Sequence, residues 1–556
     1  MTTIDPDAAA PRADASATVQ PPAGVTEAAD RLGSTLQAVG QWFTTTDHKR
    51  IGMHFIATGL VVALLTAVFG VLLGIERIST DALVFQLPVV NEFFEGFRLG
   101  LVLAVLAPLG IGLAIAVVPL QVGARSLAFA RLAHGAYYTW LAGVVLAVYA
   151  LLNDGSTAGA DRQMVELYLL AHGLIVIGLV VAAVCVATTI LTSRAPGMTL
   201  MRVPMFTWSA LVSAIGVVLV LPVAIGTLVY LFVDIRYAGG VFTEGAAAWL
   251  GWLFTQPLTV LLALPAVGVF AELLPVTFRT RLPLRPVMML ALALVGVAAF
   301  AGIAQQAVVR TAVGDAESLV PFLLFNALPL LGLLLVFAVA LLAAKPATND
   351  DGSRRLPRFS GAFLMSFFGF GMVLVGTIAT AGHGVEDLEL IGTVFEEGAL
   401  VYVGYGGLLG VMGGVIWWLP KLTGRRLSDV LVAGLAVAGV VATILASLPY
   451  LIAGFAGQPA RSPVFSTSGP MELWNLLVLV GHALMLVVVL AVLVLLARSY
   501  LAGGDETVGD DPFDAQTIEW TTTSPAPPNN YPEVPTVTSA EPLTDLKTHS
   551  TAGSPS

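Results

Sequence analysis

Long apolar runs, broken at intervals by short clusters of charged residues, Pro and Gly, dominate this chain. Twelve runs of roughly 19–30 residues reach the ~20 residues that an α-helix needs to cross a hydrocarbon core. Their approximate limits are 51–75, 98–121, 135–153, 165–191, 204–234, 247–274, 287–310, 319–344, 361–382, 391–419, 429–456 and 474–497, the third being the weakest. Backbone groups inside lipid must be satisfied within their own segment, so these runs predict helices. The pattern stops at both ends. Residues 1–45 are rich in Ala, Pro, Asp and Thr and carry no apolar core of a signal peptide, which predicts a disordered N-terminal tail. Residues 501–556 are acidic, then rich in Pro, Thr and Ser around Pro525, Pro527 and Pro528, which predicts a disordered C-terminal tail. Residues 46–500 are then the membrane domain.

The loops give a direction. Seventeen Lys and Arg residues fall on the side of the N-terminus, among them Lys49, Arg125, Arg202, Arg281, Lys421 and Arg425. Six fall on the other side: Arg77, Arg98, Arg162, Arg236, Arg310 and Arg461. Basic loops stay in the cytoplasm, so both termini are expected there.

Composition agrees with a polytopic membrane protein. Of 556 residues, 57% are hydrophobic and 11% charged, with mean hydropathy +0.88. A soluble domain carries about 25% charged residues. Net charge is −10 with no concentrated basic stripe, which argues against nucleic acid as a partner. The single cysteine, Cys185, excludes a disulfide framework, a Cys-based zinc site and an iron–sulfur cluster; in its apolar run it reads as a packing residue.

Several loops carry specific strings. Thr45-Thr46-Asp47-His48-Lys49-Arg50-Ile51-Gly52 precedes the first span. Val118-Pro119-Leu120-Gln121-Val122-Gly123-Ala124-Arg125 follows the second. Arg194-Ala195-Pro196-Gly197-Met198-Thr199-Leu200-Met201-Arg202 leads to Trp208-Ser209, and Trp418-Leu419-Pro420-Lys421-Leu422-Thr423-Gly424-Arg425 ends the tenth span. In this order, over about residues 44–497, they resemble subunit I of the haem–copper oxidases, the cytochrome c and quinol oxidases. The resemblance implies an all-α bundle of twelve transmembrane helices in a bacterial plasma membrane. It also implies six intramembrane histidines, two on a low-spin haem, one on a high-spin haem and three on copper, with a tyrosine bonded to one copper ligand. Imidazole suits both metals.

Those ligands are missing. Val90-Asn91-Glu92-Phe93-Phe94-Glu95-Gly96-Phe97 resembles the family's F-N-Q-x-F-x-x-H, so Phe97 stands where a low-spin haem ligand belongs. Phe254-Thr255-Gln256-Pro257-Leu258-Thr259-Val260 resembles F-G-H-P-E-V-Y, with Gln256 for a copper histidine, Leu258 for the glutamate that delivers protons and Val260 for the tyrosine. Ala304-Gln305-Gln306 lies where A-H-H supplies the other two copper ligands, and Gly398 and Leu400 fall on the H-x-H that binds both haems. Gly457-Gln458-Pro459-Ala460-Arg461, beside the haem propionates in the family, keeps one of two arginines.

The chain has seven histidines, and with His48 and His549 outside the spans, five cannot fill six roles. No catalytic or metal-ligating residue is therefore expected, and no cofactor, where unbroken resemblance would imply haem and copper. By resemblance alone the chain would be a cytochrome c oxidase. The expected function is instead that of a redox-inactive relative, a structural, assembly or regulatory companion of a respiratory complex. Its expected partners are membrane lipid and other respiratory subunits or further copies of itself. Two alternatives stay open: an electron-transferring oxidase subunit with unconventional ligation, and an ion- or proton-conducting protein using the vacated core. For the second, Glu396, Glu397, His172 and His482 form a candidate polar core, because intramembrane carboxylates must be protonated, paired or wet. Their plainer reading is an interfacial position for the glutamates and hydrogen-bonded packing for the histidines.

Overall fold

The computed structural model describes residues 40, 44–79, 83–239, 250–304, 319–320, 322–345, 356–383, 385–462, 464–465, 470–501 and 508–552. The expected tail at 1–45 lies almost wholly outside them, as do Gln305 and Gln306.

Each expected span coincides with a helix. In order these are α1 His48–Ile78, α2 Leu87–Gln121, α3 Ala130–Leu151, α4 Arg162–Thr192, α5 Met205–Val233, α6 Leu258–Phe278, α7 Arg285–Ala304, α8 Leu328–Ala343, α9 Gly361–His383, α10 Phe395–Thr423, α11 Asp429–Phe455 and α12 Met471–Leu501. Among the described residues eleven are long and apolar enough to cross a membrane; α7 is apolar over Arg285–Ala298, which is shorter. No strand occurs among these residues, only an isolated bridge between Thr393 and Pro459.

Local chemistry sets the helix ends. Asp47 caps α1, its Oδ1 accepting from the Lys49 amide at 3.0 Å, and Asp161 caps α4 through the amides of Gln163 and Met164. Gly424 closes α10 at φ +75°, a left-handed position that costs glycine little.

The helices form two classes. The most apolar stretches of α2 and α10 are completely buried and that of α6 is 89% buried, whereas the other spans bury 39–56%. A helix apolar all round must face either protein or lipid. Here three central helices are enclosed by a ring whose outer faces remain apolar. The centre is built from three of the four helices that the resemblance charges with haem and copper ligation.

Helix α2 changes pitch at its middle, with π-type turns over Gly100–Leu106. The Ala107 amide bonds to the Val102 carbonyl, five residues back, so the next donor in that register would serve Leu103. That donor is missing because residue 108 is proline. The indole Nε1 of Trp140 in α3 donates to the Leu103 carbonyl instead, at 3.3 Å.

The C-terminal expectation requires correction. Residues 508–552 form no disordered tail but pack across the basic end of the bundle, where α1 begins. Ala515, Ile518, Trp520, Tyr531 and Val537 are buried there, Phe513 stacks on Trp417 at 4.0 Å, and a final helix, α13, spans Pro542–Ala552. Polar contacts fasten the segment. Lys421 Nζ donates to the carbonyls of Asp510 and Thr522 at 2.8 and 2.6 Å, and Asn530 Nδ2 donates to the Ala124 carbonyl at 2.7 Å. His48 Nε2 lies 3.0 Å from Asn530 Oδ1.

Candidate functional site

Four of the six ligand-position residues are described, and each is buried. Phe97 places its ring edge-on against His482, with centroids 5.2 Å apart. Leu400 belongs to the apolar core. A Cβ added at Gly398 would stand 2.8 Å from the Ser447 carbonyl oxygen, so α11 closes that position. Gln256 donates from Nε2 to the Thr377 carbonyl at 3.4 Å, and its buried Oε1 has no partner among the described residues. Leu258 and Val260 continue the core. This donor set contains no imidazole.

The faces between the central helices are closed as well. Along α10, a Cβ at Gly404 would stand 2.6 Å from Leu101 of α2, one at Gly410 2.6 Å from Ala266 of α6, and one at Gly414 2.7 Å from Leu113 of α2. Gly407 meets Leu106 of α2 in the same way. On its other side Gly406 fits against the Gly369 carbonyl of α9. Glycines of this kind let membrane helices approach until side chains of one rest on the backbone of the other.

The proposed polar core divides. Glu397 is 3% exposed and ion-paired with Arg98 of α2, whose Nε donates to Oε1 at 2.9 Å while NH2 contacts the same oxygen. Glu396 lies 3.5 Å from Arg98 and 3.1 Å from His383 Nε2, and it accepts the Gly392 amide. Both glutamates sit in the first turn of α10 and are ion-paired rather than set in a void. Their neighbourhood is a closed polar layer opposite the basic end. The Arg98 and Arg461 guanidinium carbons lie 4.5 and 5.4 Å from the Phe94 ring centroid, and Arg77 donates to the Tyr450 hydroxyl at 2.7 Å. Glu95 and Glu397 are the acidic groups that act on Arg461.

His172 and His482 stay outside the glutamate cluster. His172 Nδ1 lies 3.0 Å from the Tyr168 carbonyl in its own helix; His482 Nδ1 lies 2.7 Å from the Tyr405 hydroxyl. Both fit the packing reading. His54 and His134 stack at 5.4 Å between α1 and α3. Among the described residues no three His, Cys, Asp or Glu side chains are grouped to hold a metal.

A second polar cluster, at the basic end, went unnoticed in the sequence. Glu519 Oε1 accepts from Gln121 Nε2 and Trp418 Nε1, each at 3.1 Å, and the Thr207 hydroxyl donates to Gln121 Oε1 at 2.8 Å. The signal was the string Ile518-Glu519-Trp520, apolar residues flanking a charge within a supposed tail. Between the two polar ends, the hydroxyls of Ser366, Thr377 and Thr443 bond carbonyls of their own helices, whereas Ser213 of α5 donates to the Leu261 carbonyl of α6.

The comparisons agree with this architecture. The family profile for cytochrome C and quinol oxidase polypeptide I matches residues 50–484. Cytochrome c oxidase subunit 1 of Bacillus subtilis is 28% identical over 534 residues, covering 90% of this chain and 82% of that protein. A putative cytochrome c oxidase subunit 1-beta of Streptomyces coelicolor is 29% identical over 569 residues, covering 94% and 93%. A probable quinol oxidase subunit 1 of Staphylococcus haemolyticus is 26% identical, covering 92% and 79%. A solved heme-copper terminal oxidase dimer matches the fold at TM-score 0.63 and 16% identity, over 90% of this chain and 89% of that one. This multi-pass membrane protein belongs to the subunit I family of the cytochrome c and quinol oxidases.

Proposed function

We propose that the chain holds neither haem nor copper and acts as a non-redox companion of a respiratory oxidase complex in a bacterial plasma membrane, with twelve crossings and both termini cytoplasmic. One observation carries this reading: the α10 glycine face is closed by Leu101, Leu106, Ala266 and Leu113. A porphyrin needs a wide slot between helices. Axial ligation also needs a donor, and Phe97, Gly398 and Leu400 have none. Gln256 offers an amide where copper requires imidazole. The residues described do not fit the family's cofactors.

The polar layer supports the same reading. By resemblance, Arg461 belongs to the stretch beside the haem propionates. Here the protein's own carboxylates, Glu95 and Glu397, act on it.

The relatives' names favour an electron-transferring oxidase, but a name does not supply ligands. A conducting role finds less support, because the glutamates that would carry it are engaged by Arg98 and His383. The companion role is tested by purifying the tagged chain from its native membrane in mild detergent. Haem-bearing oxidase subunits should co-purify in fixed proportion. Recovery of the chain alone, with oxidase activity unchanged on its deletion, would overturn the companion role.

A further inference from the structure

Glu519 reaches the basic end of the bundle from the C-terminal segment and is fully buried there. Its Oε1 holds two donors, Gln121 and Trp418. Its Oε2 is buried and has no hydrogen-bond partner among the described residues. Glu272 of α6, also buried, accepts the Phe206 amide on its Oε2 at 3.2 Å, and the Glu519 charge acts on it. A small cavity adjoins Glu272, walled by Arg285, Gln516 and Glu541, and Gln516 Oε1 is buried without a partner among the described residues.

Other charges face the pair from each neighbouring element. Lys421 of α10 acts on Glu519 while its ammonium serves the carbonyls of Asp510 and Thr522. Arg285 of α7 acts on Glu272, donates to the carbonyls of Met201 and Val203, and lies 4.0 Å from Glu541. The Tyr531 hydroxyl, also facing Glu519, donates to the Leu120 carbonyl at 2.5 Å. The cations thus spend their hydrogen bonds largely on backbone carbonyls.

We propose that Glu272 and Glu519 form a proton-binding pair assembled only when residues 508–552 dock, so that docking of the segment is coupled to uptake of one proton. Two interacting buried carboxylates resist simultaneous ionisation and titrate as a unit. A proton on Glu519 Oε2 also turns an orphaned acceptor into a donor. No redox step enters, so the inference stands apart from the question of cofactors.

The sign follows from the shift. Burial holds the Glu519 carboxyl above the usual carboxylate range. The docked state therefore binds more protons than the released state. Docking is strongest at low pH and weakens as pH rises above the exposed carboxylate value, by up to about tenfold per pH unit for one linked proton.

The test uses the full chain in nanodiscs with spin labels at Thr523→Cys and Ser428→Cys, read by pulsed electron–electron distance measurement from pH ~5.5 to ~9. Both positions are exposed, while the native Cys185 is buried. A second label pair, Arg125→Cys with Ser428→Cys, monitors the bundle itself. The expected result is one short distance at low pH and a growing longer population at high pH, with the second pair unchanged. Glu272→Gln removes one of the two charges and should weaken the pH dependence, burial alone still holding up the Glu519 carboxyl. Glu519→Gln should abolish the pH dependence and leave the segment docked, which covers the case in which the first variant does not fold. A distance independent of pH in the parent would overturn the proposal. So would parent-like release in both Gln variants, which would place the titration on neither carboxylate.

Discussion

Arg98 and Glu397 are 299 residues apart in sequence and meet inside the bundle with both side chains under 10% exposed. Desolvating two charges costs several kcal/mol, which their mutual attraction only roughly offsets. The asymmetry appears when one partner is lost. Arg98→Met leaves Glu397 without its guanidinium and should lower stability by about 3 kcal/mol or more. Arg98→Met with Glu397→Met removes both charges and should recover most of that loss. Thermal unfolding in detergent decides between the two. A double variant no more stable than the single would show that the pair does not act as a unit. Local sequence marked Glu396 and Glu397 as costly but could not name their partner, because Arg98 was counted among loop charges. A pairing over this separation leaves no local trace.

Helix α10 shows how the apolar centre is set by one residue type. Its glycines accept the side chains of α2 and α6, so an added methyl has nowhere to go. Gly404→Ala should cost about 1–3 kcal/mol through overpacking against Leu101, and Leu101→Ala in the same chain should restore part of it. Gly371 in α9 has nothing within 4 Å of its would-be Cβ, so Gly371→Ala should be neutral or gain about 0.5–1 kcal/mol. Equal effects at the two glycines, measured by thermal unfolding, would mean that the α10 face opens on free space. These elements were legible in advance. The apolar runs lasted long enough to mark each span. The segment 508–552 was not legible, since Ile518, Trp520, Tyr531 and Val537 follow neither a helical nor a strand period. Its burial is made by irregular contacts with helix ends and loops, which periodicity does not register.

The whole molecule keeps the family's scaffold and punctuation while its centre is chemically plain. Polar layers lie at both ends, Arg98 with Glu396 and Glu397 at one and Glu519 with Gln121 and Trp418 at the other. Between them the described part of the three central helices is an apolar core. The C-terminal segment ties together the basic ends of α1, α2, α6 and α10 through Asn530, Tyr531, Gln516 and Ala526. Deleting residues 508–552 should therefore lower the unfolding temperature of the bundle, although none of these residues crosses the membrane. An unfolding temperature equal to that of the full chain would reduce the segment to a passive covering. The account's central claim concerns what the bundle contains. It is tested most directly by a reduced-minus-oxidised optical spectrum with metal analysis on the detergent-purified chain. The account predicts no Soret band and no stoichiometric iron or copper; haem near one per chain would contradict it and return electron transfer to this protein.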